Sequence, residues 1–379
     1  MITNSEVDGS NQVLRIGIVG LGAVARTHLQ AYRRLRDIAV VAVADNDSQK
    51  VALAAQEFGL KAYSSAKDML AHEEVDIVCV LTPPATHETI VTSCAAAGSH
   101  VLCEKPLALS VESCERMIAT CRDHGVRLCY GASYRYLPAI VMARNLIANG
   151  SLGEVLVLRE FAVGGRGERH RRTLPYSHYP KGGPGGSGMG LCDHGIHLID
   201  IFSWLLNSPV TRVCGRGNVS GEPQRSEFLH LQYENGAIGE LLYEDGTFST
   251  DLPQEGIFGW GGGWSLGANG ADATTGSWQP HPGCMHVYGT KGSLRIFYYA
   301  NQLFCRDERG IRQLRVPDQP FPENFSMQLE AFANAIRTNG ETPVAGEVGL
   351  ETWRTLQRVY SEQVALTGMQ NGPSHTALP

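Results

Sequence analysis

The segment Gly190-Leu191-Cys192-Asp193-His194-Gly195-Ile196-His197-Leu198-Ile199-Asp200 gathers the residue types that proton chemistry needs. On a helix, residues three and four apart share a face, so Asp193, His197 and Asp200 would form one polar stripe. Ile196, Ile199, Ile201 and Trp204 would then lie on the opposite side. A carboxylate stacked on an imidazole orients the ring and raises its proton affinity, which makes an acid–base unit. Gly195, between them, would leave bare backbone for something flat to approach. The same pattern also describes an amphipathic helix whose His and Asp face solvent, and the N-terminal third of the chain bears on the choice.

That third opens with a short apolar run, Val13 to Val19, followed by Gly20-Leu21-Gly22-Ala23-Val24-Ala25 and then a helical pattern through Leu29, Tyr32 and Leu35. In a strand–turn–helix unit, Gly20 permits the tight turn and Gly22 lets the backbone approach a pyrophosphate. Ala25 keeps helix and strand close, and the free N–H groups at the helix start, around Ala23 and Val24, attract phosphate. A second strand, Ile38 to Ala44, ends in Asp45, followed by Asn46. An acid there suits the hydroxyls of an adenosine ribose and repels a 2′-phosphate, which favours NAD over NADP. The other reading of Asp45 is a cap for the helix beginning near Ser48.

From residue 13 to about 130 the pattern alternates. Val75 to Leu81, His100 to Cys103 and Val126 to Tyr130 read as strands, and Thr86 to Ala97 and Ser110 to His124 as helices. Such alternation predicts a parallel sheet covered on both faces, with ligands outside the carboxyl ends of its strands. Two loops at those ends stand out: Thr82-Pro83-Pro84-Ala85-Thr86-His87 and Glu104-Lys105-Pro106. Beyond residue 131, Tyr136 to Ala148 reads as helix, and 192–206 as the helix of the opening paragraph. Strands are expected at Glu154 to Val163, 210–219, 227–233, 237–247, 284–289, 293–299 and 311–316, and closing helices at Met327 to Ile336 and Leu350 to Leu366. Runs of strands imply an antiparallel sheet, so the fold class is α/β: a Rossmann dinucleotide-binding domain (13–130) followed by an α+β domain (131–379) with a mainly antiparallel sheet.

The chain has 379 residues, 43% hydrophobic and 18% charged, with a net charge of −6. That length suits two domains, and that balance argues against nucleic acid as a partner. No run approaches the ~18 apolar residues of a membrane span, so no membrane partner is expected. Met1 to Gln12 is polar, lacks a secretory pattern and reads as a disordered tail. The ten cysteines contain no C-x-x-C pair, and the reading is reduced thiols in a cytoplasmic protein.

Two further groupings bear on ligands. Cys192-Asp193-His194-x-x-His197 would need metal ligands from several sides of one helix, so no metal is expected. The basic run Arg166, Arg169, Arg171, Arg172 and Lys181 precedes the catalytic segment; it suits a clamp for an anionic substrate, a subunit contact or a solvated loop. The Gly- and Trp-rich stretch Gly256 to Gly283 is long enough for a lid or an oligomer contact.

In order along the chain, Gly20-x-Gly22-x-x-Ala25, Asp45, Thr82-Pro83-Pro84…His87, Glu104-Lys105-Pro106 and Asp193-x-Gly195-x-His197-x-x-Asp200 resemble the glucose–fructose oxidoreductase / inositol dehydrogenase (Gfo/Idh/MocA) family. The resemblance implies that Lys105, Asp193 and His197 are the catalytic group. It also implies that Thr82, Pro83, Pro84, His87, Glu104 and Lys105 line the cofactor, and that Tyr134 and Arg135 face the substrate; Arg166, Arg169 and His194 are placed with them. It further implies a cis Lys105–Pro106 bond, a large open sheet in the second domain, and a homodimer or homotetramer formed through that sheet.

The chemistry that follows is oxidation of a secondary ring hydroxyl of a sugar, polyol, inositol or sugar derivative, or its reverse. His197, held by Asp193, is the expected base. Lys105 hydrogen-bonds the same oxygen and, with its charge disfavoured by burial, is a second possible proton relay; Glu104 orients either that lysine or the nicotinamide ribose. Two alternatives use the same fold: a glycosidase or lyase that oxidises only transiently, and a non-catalytic nucleotide-binding regulator, which has no need of the three proton-handling residues.

Overall fold

The structure is a computed structural model that describes residues 13–163, 190–217, 226–244, 284–319 and 322–370. The N-terminal tail, the basic run from Arg166 to Lys181, and Gly256 to Gly283 with His281 lie outside those residues.

The first domain runs β1 (Leu14–Val19), α1 (Ala23–Tyr32), β2 (Ile38–Ala44), α2 (Ser48–Phe58), β3 (Lys61–Tyr63), α3 (Ala66–His72), β4 (Ile77–Val80), α4 (His87–Ala96), β5 (His100–Cys103), α5 (Val111–Asp123) and β6 (Leu128–Tyr130). Its six strands pair in parallel in the order β3-β2-β1-β4-β5-β6. Helices on both faces bury the central strands, which is why β4 is apolar throughout and every residue of it is buried. Strand order reverses between β1 and β4, the point at which sheets of this kind form a ligand crevice at the strands' carboxyl ends. Cys79, Cys94, Cys103, Cys114, Cys121 and Cys129 are buried thiols of this layer.

The second domain begins with α6 (Pro138–Ala148) and β7 (Val155–Val163). It continues through α7 (Ile196–Leu206), β8 (Val210–Arg216), β9 (Glu227–Tyr233), β10 (Ile238–Glu244), β11 (Cys284–Gly289), β12 (Ser293–Phe297), β13 (Gln302–Asp307) and β14 (Gly310–Leu314). The eight strands lie in the order β14-β13-β12-β11-β7-β10-β9-β8. Only β7 and β10 pair in parallel; the other neighbours are antiparallel. In β9, Glu227, Leu229, Leu231 and Tyr233 are buried while Phe228 and Gln232 are exposed, as expected for a sheet with one covered face. α7 covers that face, with Phe202 pressed so closely on Gly239 that a Cβ there would come within 2.9 Å of the ring.

The closing helices α8 (Glu323–Arg337) and α9 (Gly346–Gln370) return to the first domain. Phe325, Leu329 and Phe332 share an apolar cluster with Ile16, Ile18 and Leu29. A second cluster runs from Val80 and Val101 through Tyr130 and Trp353 to Ile196 and Leu241, so apolar packing is continuous between the two sheets.

Three elements lie beyond the sequence reading. β3 is a three-residue edge strand with two exposed positions, too short and too polar to carry a period. α3 is seven residues long and depends on the Ser65 side chain, which accepts from Asp68 N at 3.1 Å. β13 follows β12 through a turn with Asn301 at φ 52°, where no glycine marks the reversal.

Gly20 has φ 95°, and a Cβ there would lie 2.7 Å from the Leu81 carbonyl carbon and from Thr82 Cγ2. Gly20→Ala should therefore destabilise the protein by about 2 kcal/mol or more, lowering the urea midpoint. An unshifted midpoint would show that the turn yields freely.

Candidate active site

On the nucleotide side, the Gly20 N–H donates to Ala44 O at 2.8 Å, which closes the tight turn. Asp45 Oδ2 accepts from Leu21 N at 2.6 Å and Oδ1 from Asp47 N at 2.9 Å, so this carboxylate holds the glycine-rich loop. The cap of α2 is Asp47, whose Oδ1 accepts from Gln49 N at 3.0 Å and Lys50 N at 3.2 Å. Gly22 caps α1 without a side-chain hydrogen bond, and a Cβ there would meet nothing within 4 Å. Free amides facing open space at a helix start fit the pyrophosphate of a dinucleotide. Ala25 is buried beneath the turn, Val24 is half-buried and Asn46 is exposed.

The loop after β4 divides its expected roles. Pro83 is exposed and Thr82 half-buried, at the crevice. Pro84 and His87 are buried in the protein, so these two support the loop from beneath instead of lining the crevice. His87 Nε2 lies 2.8 Å from Thr82 O and Nδ1 3.0 Å from Leu107 O.

Behind the loop after β5 runs a buried chain absent from the sequence reading. Cys79 Sγ donates to the Tyr32 hydroxyl at 3.8 Å, which is 2.7 Å from His28 Nδ1; His28 Nε2 is 3.2 Å from Glu104 Oε1. Glu104 Oε2 accepts the Lys105 N–H at 3.0 Å, so Glu104 orients the lysine through its backbone. The Lys105–Pro106 bond is cis.

From this loop the Lys105 ammonium reaches the second domain. Nζ donates to Asp193 Oδ1 at 2.8 Å and to Asp193 O at 2.9 Å. Burial disfavours the ammonium, but the Asp193 carboxylate and then Glu104 outweigh it and raise the lysine's pKa. The expectation that burial readies Lys105 to lose its proton is therefore corrected: its partner is anionic.

Asp193 lies in a π turn, Leu191–Gly195, that precedes α7. The Gly190 carbonyl accepts both His194 N and Gly195 N at 3.0 Å, which widens the turn by one residue. Glu227 Oε2 accepts Leu191 N at 2.7 Å, and a Cβ on Gly190 would collide with that carboxylate. The Asp193 carboxylate meets Lys105, and His197 follows the turn in the first residues of α7. Burial first, then the Lys105 ammonium and His194, hold the His197 imidazole well below its ordinary value, so Asp193 does not make the ring more basic.

The helix is not amphipathic toward solvent either, because every residue from Ile196 to Phe202 is buried. Gly195 offers no bare backbone to a ligand; a Cβ there would lie 3.1 Å from Tyr243 Cε2 and 3.2 Å from Leu191 Cδ2. His197 stacks on Tyr134, with ring centroids 3.9 Å apart and planes within 2°. The Tyr134 hydroxyl meets that of Tyr299. Asp200 accepts from Arg135 at 2.9 Å and 2.5 Å, and the guanidinium lies over Trp204, on which Arg144 also rests.

His194 is the clearest relocation. It is buried, with Nε2 3.1 Å from Glu160 Oε2 and 3.1 Å from the Tyr298 hydroxyl. Glu160 is fully buried in β7 and also accepts from Tyr243 at 2.7 Å and from Tyr298. His194 thus anchors the π turn to the sheet beneath instead of facing substrate. The only signal for this in the sequence is a glutamate breaking an apolar strand. Arg166 and Arg169 lie outside the described residues, and among the described residues no three His, Cys, Asp or Glu gather as a metal site.

Residues 14–132 match the family model described as an oxidoreductase family with an NAD-binding Rossmann fold. Residues 144–364 match the C-terminal alpha/beta domain of the same oxidoreductase family. A myo-inositol 2-dehydrogenase of Thermotoga maritima is 24% identical over 350 residues, covering 89% of this chain and 92% of its own. An oxidoreductase from Agrobacterium radiobacter, solved with NAD+, L-tartaric acid and magnesium, superposes with a TM-score of 0.74 at 20% identity, over 93% of this chain and 97% of its own. The aldose-aldose oxidoreductase from Caulobacter crescentus, solved with glycerol, gives 0.73 at 22% identity, over 92% and 97%. The crevice, the lysine that crosses it and two family models that together span most of the sequence lead to one conclusion: the chain belongs to the Gfo/Idh/MocA family of oxidoreductases.

Proposed function

We propose that the protein is an NAD-dependent dehydrogenase that oxidises a secondary ring hydroxyl of a sugar, polyol or inositol, or reduces the corresponding ketone. The observation that carries this reading is the Lys105–Asp193 contact at 2.8 Å, which sets an ammonium from one domain beside the buried His197 of the other. The named activities of the myo-inositol and aldose relatives support the substrate class.

The residues divide the work. His197, neutral because burial and the nearby lysine oppose its charge, accepts the hydroxyl proton. Lys105, kept charged by Asp193, hydrogen-bonds the same oxygen and stabilises the negative charge that grows on it. Tyr134 holds the imidazole by its face, and the Arg135–Asp200 pair fixes the start of α6 against α7. Bound at the Gly20–Ala25 turn, the nicotinamide nucleotide supplies the hydride acceptor. Asp45 beside that turn, with no basic residue directly after it, favours NAD over NADP.

The face of the second sheet that is exposed among the described residues supports pairing with a second copy of this chain. Phe161 of β7 is 43% exposed and Phe228 of β9 is 42% exposed; Leu242 of β10 lies between them in register. Arg159, Glu240 and His230 form the neighbouring cross-strand row. An apolar stripe beside charges of both signs suits a two-fold contact.

A panel of sugars, inositols, uronic acids and sugar nucleotides, offered with NAD+ or NADP+ and followed by reduced-cofactor absorbance, tests the function. Accumulation of NADH with a polyol or aldose is expected; bond cleavage without net reduction would reject the dehydrogenase reading. With the substrate so found, Lys105→Ala should lower kcat by about 100-fold or more while the nucleotide still binds, and unchanged turnover would remove the lysine from the reaction. Log kcat/KM should be flat through neutrality, falling only below pH 6.5 as His197 protonates and above pH 10.5 as Lys105 loses its proton. An acid limb centred above pH 7 would contradict a depressed imidazole. Phe161→Asp with Phe228→Asp should convert the oligomer to monomers in sedimentation, and an unchanged mass would exclude this face as the contact.

A further inference from the structure

Two buried histidines flank the loops at the carboxyl edge of the first sheet, and their surroundings differ in hydrogen-bond accounting. His28 has the Tyr32 hydroxyl at Nδ1 and a carboxylate oxygen of Glu104 at Nε2. A neutral ring satisfies both, accepting from the tyrosine and donating to the glutamate. His87 has a backbone carbonyl at each nitrogen: Thr82 O at 2.8 Å and Leu107 O at 3.0 Å. Carbonyls only accept, and a neutral imidazole has one N–H, so both contacts are hydrogen bonds only when the ring carries two. The carbonyls belong to different loops. Thr82 begins the segment after β4 that abuts Gly20, and Leu107 ends the Glu104-Lys105-Pro106 segment after β5.

We propose that His87 is a positioning residue whose ring bridges the nucleotide-side loop at Thr82 and the loop that presents Lys105, tying both ends when it carries two N–H groups. The ring is fully buried at the start of α4, and its two hydrogen-bond contacts are to backbone carbonyls, so it acts through the two backbones. Burial opposes its charge and wins over the opposing pull of the Thr82 and Leu107 carbonyls, of Glu104 and of the Pro106 backbone, leaving the pKa lowered. The tie is therefore two-ended in acid and loses one bond as pH rises through that lowered value. Among the charged groups around it, Glu104 on the β5 loop acts on the ring. Glu88 of α4 is paired with Arg116 of α5, and Asp68 of α3 with His72, both at the surface; Lys105 is turned to Asp193. Cys79, Cys94, Cys103, Cys114 and Cys121 of β4, β5, α4 and α5 are buried thiols of the same layer.

The inference rests on Lys105 being the reacting lysine, and the test keeps the two apart. Binding of whichever of NADH and NADPH the full chain takes is followed by fluorescence between pH 5.5 and 8.5 for wild type, His87→Gln and His87→Leu. Wild-type affinity should weaken several-fold with rising pH. His87→Gln, which donates from one end only, should be about tenfold weaker at pH 5.5 and nearly flat with pH. Ring 15N spectra of the wild-type protein, with the His87 signals identified by their loss in His87→Gln, should show two N–H groups at pH 5.5. Wild-type affinity and pH slope in His87→Gln, or a singly protonated ring at pH 5.5, would overturn the proposal even if His87→Leu fails to fold. Unchanged turnover in Lys105→Ala would instead remove the reading of the lysine and leave the binding and ring results standing.

Discussion

The structure turns on one ion pair. Lys105 and Asp193 are 88 residues apart in sequence and come from different domains, yet the ammonium meets both the side chain and the backbone carbonyl of its partner. A pair of this kind costs desolvation on both sides and repays it only when geometry is good and other hydrogen bonds complete it. Each partner is accordingly fixed from behind. The lysine sits on a loop whose backbone is held by Glu104 and, through Glu104, by His28, Tyr32 and Cys79. The aspartate sits on a turn held by Glu227, Glu160, Tyr243 and Tyr298. Continuous apolar packing through Tyr130 and Trp353 keeps the two supports at a set separation.

The pair also sorts the charges of the site. Asp193 favours the charge of the lysine, while burial and that nearby cation disfavour charge on the His197 imidazole. That assignment is opposite in detail to one read from helical stacking, in which the aspartate would serve the histidine. The residues are the same; the partnership differs because a π turn replaces an α turn.

What the sequence made legible was whatever the backbone demands locally. Gly20 at positive φ, the apolar central strands, the alternation of β9 and the short motif around Lys105 each follow from steric or burial rules acting over a few residues. The family resemblance of those motifs is matched by the two family models. Long-range partnerships were not legible. Glu160 gives no local sign that it receives two tyrosines and a histidine from three other segments, and His87 reads as a loop residue until both carbonyls are located. β3 and α3 escaped because short, half-exposed elements carry too few periods for a pattern to emerge.

The carbonyl of Gly190, shared by two amides, has a bearing on how such a site diversifies. The angular setting of Asp193 and His197 depends on this five-residue turn and on a carboxylate from β9 that accepts the Leu191 N–H. A substitution at Glu227, 36 residues along the chain from Leu191, can therefore shift the setting of Asp193 through the backbone of one turn. One oxygen atom shared by two amides thus makes the geometry of the site a property of the backbone as much as of its side chains.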